Sequence, residues 1–162
     1  MEEQQDHPAR HALVELINIH CDALEFEPIH RILTGVDPKD VLHSFAAAVK
    51  SARESDSCDL VLLTPDDELR FASDGHPLFA LQPFLDAYVA AHPGAEIDYI
   101  HGEDALRNLS SRPDAVGFMP RAFAKSELFA YVREHGALPR KTFSMGEATD
   151  KRYYLEARRI TR

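Results

Sequence analysis

Leu60-Val61-Leu62-Leu63-Thr64-Pro65-Asp66-Asp67-Glu68-Leu69-Arg70-Phe71-Ala72 places two short apolar runs on either side of a proline–aspartate turn. Runs of this length, bounded by turn formers, predict the two strands of a β-hairpin. Pro65-Asp66-Asp67-Glu68 suits a type I turn better than the two-residue glycine kind. An antiparallel pair therefore lies near the middle of the chain.

Upstream of the hairpin, Asp37-Pro38 opens a helix, with Asp37 as N-cap and Pro38 at the first helical position. Val41, Leu42, Phe45, Ala48 and Val49 recur at helical spacing, and this helix is expected to fade near Glu54. Ile29-His30-Arg31-Ile32-Leu33 predicts a short strand, and the apolar run Ala12–Ile19 predicts another. Downstream, Leu78–Ala91 has an apolar helical face despite Pro83, and His92-Pro93-Gly94 stops it. Asp74-Gly75-His76-Pro77 reads as a turn ahead of that helix. Ile97–Ile100 alternates as a strand, 104–109 is a short helix, and Ala115–Met119 is a strand. Ser126–His135 is a helix closed by Gly136, and Arg152–Ile160 alternates as a last strand. Strands and helices interleave without a strict βαβ rhythm. The class is α+β, a mixed, mainly antiparallel sheet with three to four flanking helices. At 162 residues one domain is expected, with residues 1–8 a flexible polar leader and 9–162 a single α+β domain.

Composition removes several classes of function. No apolar run approaches the roughly 18 residues of a membrane span, and the acidic Met1–Asp6 start is unlike a signal peptide. Cys21 and Cys58 lack metal-pair spacing and are too few for a disulfide framework, so a cytoplasmic protein with free thiols is expected. Nine histidines show no zinc-site spacing, and no metal site is assigned. Residues 1–120 hold 8 Lys/Arg against 22 Asp/Glu, whereas 121–162 hold 10 against 5. The acidic body disfavours nucleic acid, because phosphate repulsion acts along the whole approach path. The basic end segment suits one small anion, or simply balances the acidic body.

Three clusters carry candidate chemistry. Glu25 and Glu27 project to one side of an extended segment, and two such carboxylates share a proton or hold a hard cation such as Mg2+. His30 offers a proton relay and Arg31 a phosphate clamp or a partner for a glutamate. The other reading is a polar edge segment with one ion pair. Arg140, Lys141, Thr142 and Ser144, followed by Gly146, form a second cluster able to wrap a phosphate. It lacks the Gly-Lys-Ser/Thr ending of the nucleotide-binding loop and reads equally as a helix-to-strand connection. His101-Gly102-Glu103-Asp104 follows a strand, where open sheets place ligands, and Asp104 there suits a helix cap.

His7-Pro8-Ala9-Arg10 through Glu25-Phe26-Glu27-Pro28-Ile29-His30-Arg31 resembles the bacterial domain-of-unknown-function family 1015. So do Tyr99-Ile100-His101-Gly102-Glu103, Lys125-Ser126-Glu127-Leu128-Phe129, and Gly136–Glu147 with Tyr153-Tyr154-Leu155-Glu156-Ala157-Arg158. The resemblance covers about residues 7–162. Members are usually longer and carry an upstream Asp-Gly-His/Asn-His box similar to that of the ParB/sulfiredoxin-like superfamily, which includes a free-serine kinase. The resemblance thus implies the C-terminal part of a longer architecture. Its pocket would be a partial one for a phosphorylated small molecule or nucleotide, with ADP or ATP and Mg2+ as cofactors. It points to Glu25, Glu27, His30, Arg31, His101, Glu103, Arg140, Lys141 and Ser144 without assigning roles; residue chemistry makes Glu25, Glu27 and His30 the candidate catalytic groups and the other six candidate phosphate or substrate contacts. The alternative is a non-catalytic module that completes an N-terminal partner segment or forms a homo-oligomer.

Overall fold

The computed structural model describes residues 16–49, 53–54, 58–73 and 75–145. Expectations for the leader, for Ala12–Glu15, for Asp74 and for the last strand Arg152–Ile160 lie outside these residues. The class is α+β, as the sequence predicts. Strands β2 (His30–Thr34), β3 (Arg53–Glu54), β4 (Leu60–Leu63), β5 (Glu68–Ala72), β6 (Glu96–Ile100) and β7 (Ala115–Pro120) form one sheet. Its order is β3-β5-β4-β7-β2-β6, and the pairs are antiparallel. Strands β1 (Phe26–Pro28) and β8 (Phe143–Met145) pair separately as an antiparallel ribbon. Four helices complete the described residues: α1 (Pro38–Ala48), α2 (Leu78–Ala91), α3 (Glu103–Ser110) and α4 (Lys125–His135).

Strand alternation gives the sheet two apolar faces. Leu33, Leu60, Leu62, Val116 and Phe118 turn to one side and pack with Val41 and Phe45 of α1 and Leu78, Leu81 and Leu85 of α2. Ile32, Val61, Leu63 and Ala115 turn to the other side, where Leu106 of α3 meets them. The hairpin forms as expected, with Leu62 opposite Leu69. The Thr64 hydroxyl accepts the Asp67 N–H at 2.9 Å across the turn. Asp37 caps α1 by accepting the Lys39 N–H at 2.9 Å, and Pro38 opens the helix.

Three expectations need correction. The helix after Pro38 stops at Ala48, because Arg53 and Glu54 pair with β5 as an edge strand. Residues 16–19 of the run Ala12–Ile19 form no strand. The Asn18 side chain accepts the His20 N–H and its carbonyl accepts the Cys21 N–H, both at 3.0 Å. This local turn chemistry overrides β-propensity and leaves Leu16 97% exposed. The cap of α3 is Gly102, not Asp104: its φ of 82° lets the chain turn out of β6 at once, and Asp104 falls in the first helical turn.

Gly117 of β7 explains how closely α3 approaches the sheet. A Cβ there would lie 2.2 Å from Ser110 Oγ and 3.1 Å from the Leu106 side chain. Ser110 is itself fixed by donating to the Leu106 carbonyl at 2.8 Å. Gly117→Ala is therefore expected to push α3 outward and to cost about 1–3 kcal/mol of stability, read by urea denaturation. An unchanged midpoint would show that the helix is not seated on the β7 backbone.

Candidate functional site

Because β2 runs antiparallel to β6 and β7, the start of β2 lies at the same end of the sheet as the ends of β6 and β7. A cleft of about 660 Å³ opens there. Its walls are Glu27 and Pro28 of the ribbon, His30, the His101-Gly102-Glu103 turn into α3, and Met119 through Ala122. The cleft thus gathers Glu27, His30, His101 and Glu103 from separate strings of the sequence.

His30 is 4% exposed and faces the α3 side, as Ile32 does. Its Nδ1 is buried without a hydrogen-bond partner among the described residues. Burial holds its pKa below the usual imidazole range, helped by Arg31 and His101 and opposed by Glu103. His30 is therefore neutral at pH 7. Glu27 is half-buried and sits opposite Ser144 across the ribbon, where Ser144 is buried. His101 is exposed. The Glu103 carboxylate accepts from Arg107 Nε at 2.7 Å, one turn along α3. The main-chain N–H groups of the first turn of α3 have no intrahelical acceptor.

The other expected site residues lie elsewhere. Glu25 is exposed, ahead of β1, and does not line the cleft. Arg31 points to the face opposite His30, fully buried. Its guanidinium donates to Gln82 Oε1 at 3.3 Å, to the carbonyls of Arg140 and Lys141 at 3.0 and 2.8 Å, and to the Ile29 carbonyl. Burial lowers its pKa to about 10, so it keeps its charge. These four acceptors make it a clamp on the 138–142 turn. Arg140 donates to Asp86 at 2.5 and 3.2 Å and to the Tyr99 hydroxyl at 2.7 Å. Lys141 is exposed, at the turn with φ 57°. Arg31, Arg140, Lys141 and Ser144 are not among the residues that line the cleft.

Arg121 is the cleft residue that the sequence reading missed. Its guanidinium meets Asp59 at 3.3 Å and Glu127 at 3.3 Å. The available signal was its place two residues past the predicted strand Ala115–Met119, close to the logic that singled out His101.

No family model matches the chain. No curated protein matches it either. Solved structures do share its α+β fold, at identities that establish the fold alone. A variant of a free serine kinase in complex with ADP superposes with a TM-score of 0.60 at 16% identity, covering 80% of this chain and 57% of that one. A conserved hypothetical protein from Pyrococcus furiosus gives 0.61 at 14% identity, with coverages of 82% and 60%. A C-terminally truncated SbnI from Staphylococcus aureus gives 0.51 at 10%, with coverages of 77% and 51%. The chain thus spans between about half and three-fifths of each of these structures. Among the described residues no helix is long and apolar enough to cross a membrane.

Proposed function

We propose that the cleft is one wall of a phosphoryl-transfer pocket for a nucleotide and a small hydroxyl-bearing acceptor. The observation that carries this reading is the convergence of Glu27, His30, His101 and the start of α3 on one cavity of about 660 Å³. The fold shared with a free serine kinase supports it. Glu27 is the general base, a carboxylate at the cleft wall that takes the proton of the acceptor hydroxyl. Neutral His30 beside it accepts without adding charge. The phosphate lies against the first-turn N–H groups of α3, whose cap Gly102 has no side chain in the way.

The charge balance of the cleft sets a condition. Arg121 pairs with Asp59 and Glu127, and Glu103 pairs with Arg107, so these pairs leave little net positive charge for a phosphate. A cation that comes with the phosphate supplies it. Among the described residues no three potential ligands come together. Mg2+ therefore fits as an ion carried on the nucleotide, with Glu103 as the protein carboxylate within reach. There it would neutralise phosphate charge.

A thermal-shift and calorimetric titration of the chain with ADP and ATP, with and without Mg2+, tests this. The expected result is a concentration-dependent shift that needs both nucleotide and Mg2+ and is lost in Glu103→Ala. Glu27→Gln should keep binding and lose transfer to the acceptor by at least a hundredfold. A cooperatively unfolding chain that shows no shift would sink the proposal. A second reading, a module that completes a partner chain, draws on α4. That helix has no fully buried residue and exposes Phe129 by 66% and Val132 by 40%. A concentration-dependent dimer, or a nucleotide response gained only on adding a partner, would favour it.

A further inference from the structure

His76 lies outside the cleft lining yet is 7% exposed and makes two opposed hydrogen bonds. The Leu78 N–H, at the start of α2, donates to His76 Nδ1 at 3.3 Å. His76 Nε2 meets the Arg121 carbonyl at 3.2 Å. A carbonyl only accepts, so Nε2 carries the proton and Nδ1 does not. The two partners fix one neutral tautomer. Pro77, the cap of α2, gives no side-chain bond, so His76 supplies the acceptor that α2 otherwise lacks.

The ring also sits in an aromatic cluster. Phe123 lies 5.0 Å and Phe79 5.7 Å from it, and Phe79 stacks on Tyr131 of α4 at 3.9 Å. Phe123 continues to Phe143, which stacks on Phe26 of the ribbon at 3.9 Å. The cluster therefore joins the start of α2, α4 and the ribbon that bears Glu27, with His76 as its one titratable imidazole among these rings apart from His135 at the far side of Tyr131.

We infer that His76 is a positioning residue that latches the Arg121 wall of the cleft to the start of α2, and that a second proton on its ring opens this latch. Protonation puts an N–H on Nδ1 facing the Leu78 N–H, two donors without an acceptor. The start of α2 must then separate from the ring, and the Phe79–Tyr131 contact goes with it. Charged and titratable groups face the ring from each packed element. Arg121, from the loop after β7, opposes protonation; Glu127 of α4 favours it; and Tyr131 of α4 borders the same cluster. The carbonyls of Arg121 and Ala122 favour a ring N–H. Burial outweighs these and lowers the His76 pKa to about 4. An opened ring returns to about 6.5. The closed form is thus fully favoured above pH 6.5 and is lost as the pH falls towards 4.

Hydrogen exchange of the unliganded chain, corrected for intrinsic rates, reads this directly and does not depend on what the cleft binds. Between pH 6.5 and 4.5, opening of 76–81 and 121–127 is expected to rise roughly tenfold per pH unit, while β4 and β7 stay protected. In His76→Asn, whose amide oxygen replaces the Nδ1 acceptor but takes up no proton, the rise should vanish. An equal rise in that variant, or a flat wild-type profile, would overturn the inference. If the variant does not fold, an NMR titration of the His76 ring decides. An Nε2–H tautomer titrating below pH 5 supports the latch, and an Nδ1–H tautomer or a midpoint near 6.5 refutes it.

Discussion

Phe45→Ala is expected to lower the unfolding free energy by about 3–5 kcal/mol. Phe45 is 1% exposed and sits among three other rings. Its centroid lies 5.4 Å from Phe71, 5.3 Å from Phe84 and 6.2 Å from Phe118. One side chain therefore ties α1 to β5, α2 and β7. Its removal loses the transfer energy of a ring, leaves a cavity that these elements cannot collapse, and deletes edge-on aromatic pairs of about 0.5–1.5 kcal/mol each. Domains of this size carry roughly 5–15 kcal/mol in total, so much of the reserve goes. Urea denaturation should show a lower midpoint at unchanged slope. Phe129→Ala, on the exposed side of α4, should stay within about 0.5 kcal/mol. A loss below 1 kcal/mol for Phe45→Ala would mean that the core is not built around this ring.

Arg31→Met should cost about 3 kcal/mol, by a different route. The methionine stem keeps the packing of the arginine stem, so the loss is polar. Three main-chain carbonyls and Gln82 Oε1 lose their donor in a buried place, and an unmade buried hydrogen bond costs about 1–3 kcal/mol. Relief from burying a charge returns part of that. Arg31→Lys should recover little, because one ammonium cannot reach acceptors spread around a planar fork. The local signature is loss of exchange protection in 138–142 ahead of the sheet. If nucleotide affinity fell sharply in Arg31→Lys while stability held, Arg31 would be a ligand contact and not a clamp.

The hairpin at 60–72, the cap at Asp37-Pro38 and helices α2 and α4 were legible because their signals are local: turn residues, caps and one-sided apolar spacing. Glu27 and His30 were legible as near neighbours for the same reason. Grouping His30 with Arg31 neglected strand alternation, which puts consecutive side chains on opposite faces. One residue meets the cleft; the next goes under the 138–142 turn. Arg121, and the place of Ser144 opposite Glu27, needed information of another kind, namely which strands pair. Three-residue strands such as β1 and β8 leave no periodicity to read, and their pairing shows only once Phe26 and Phe143 stack. His76 was read as part of a turn, and so it is; its hydrogen bonds are tertiary and invisible in Asp74-Gly75-His76-Pro77.

The ribbon also has a bearing on biosynthesis. Its strands come from residues 26–28 and 143–145, so closing it joins segments from opposite ends of the described chain, a slow and entropically costly step. During synthesis, α1, the hairpin and α2 can dock while the ribosome is still adding residues. The Glu27 wall acquires its partner strand only after Phe143 has left the exit tunnel. Early folding therefore rests on the apolar core around α1, the hairpin and α2.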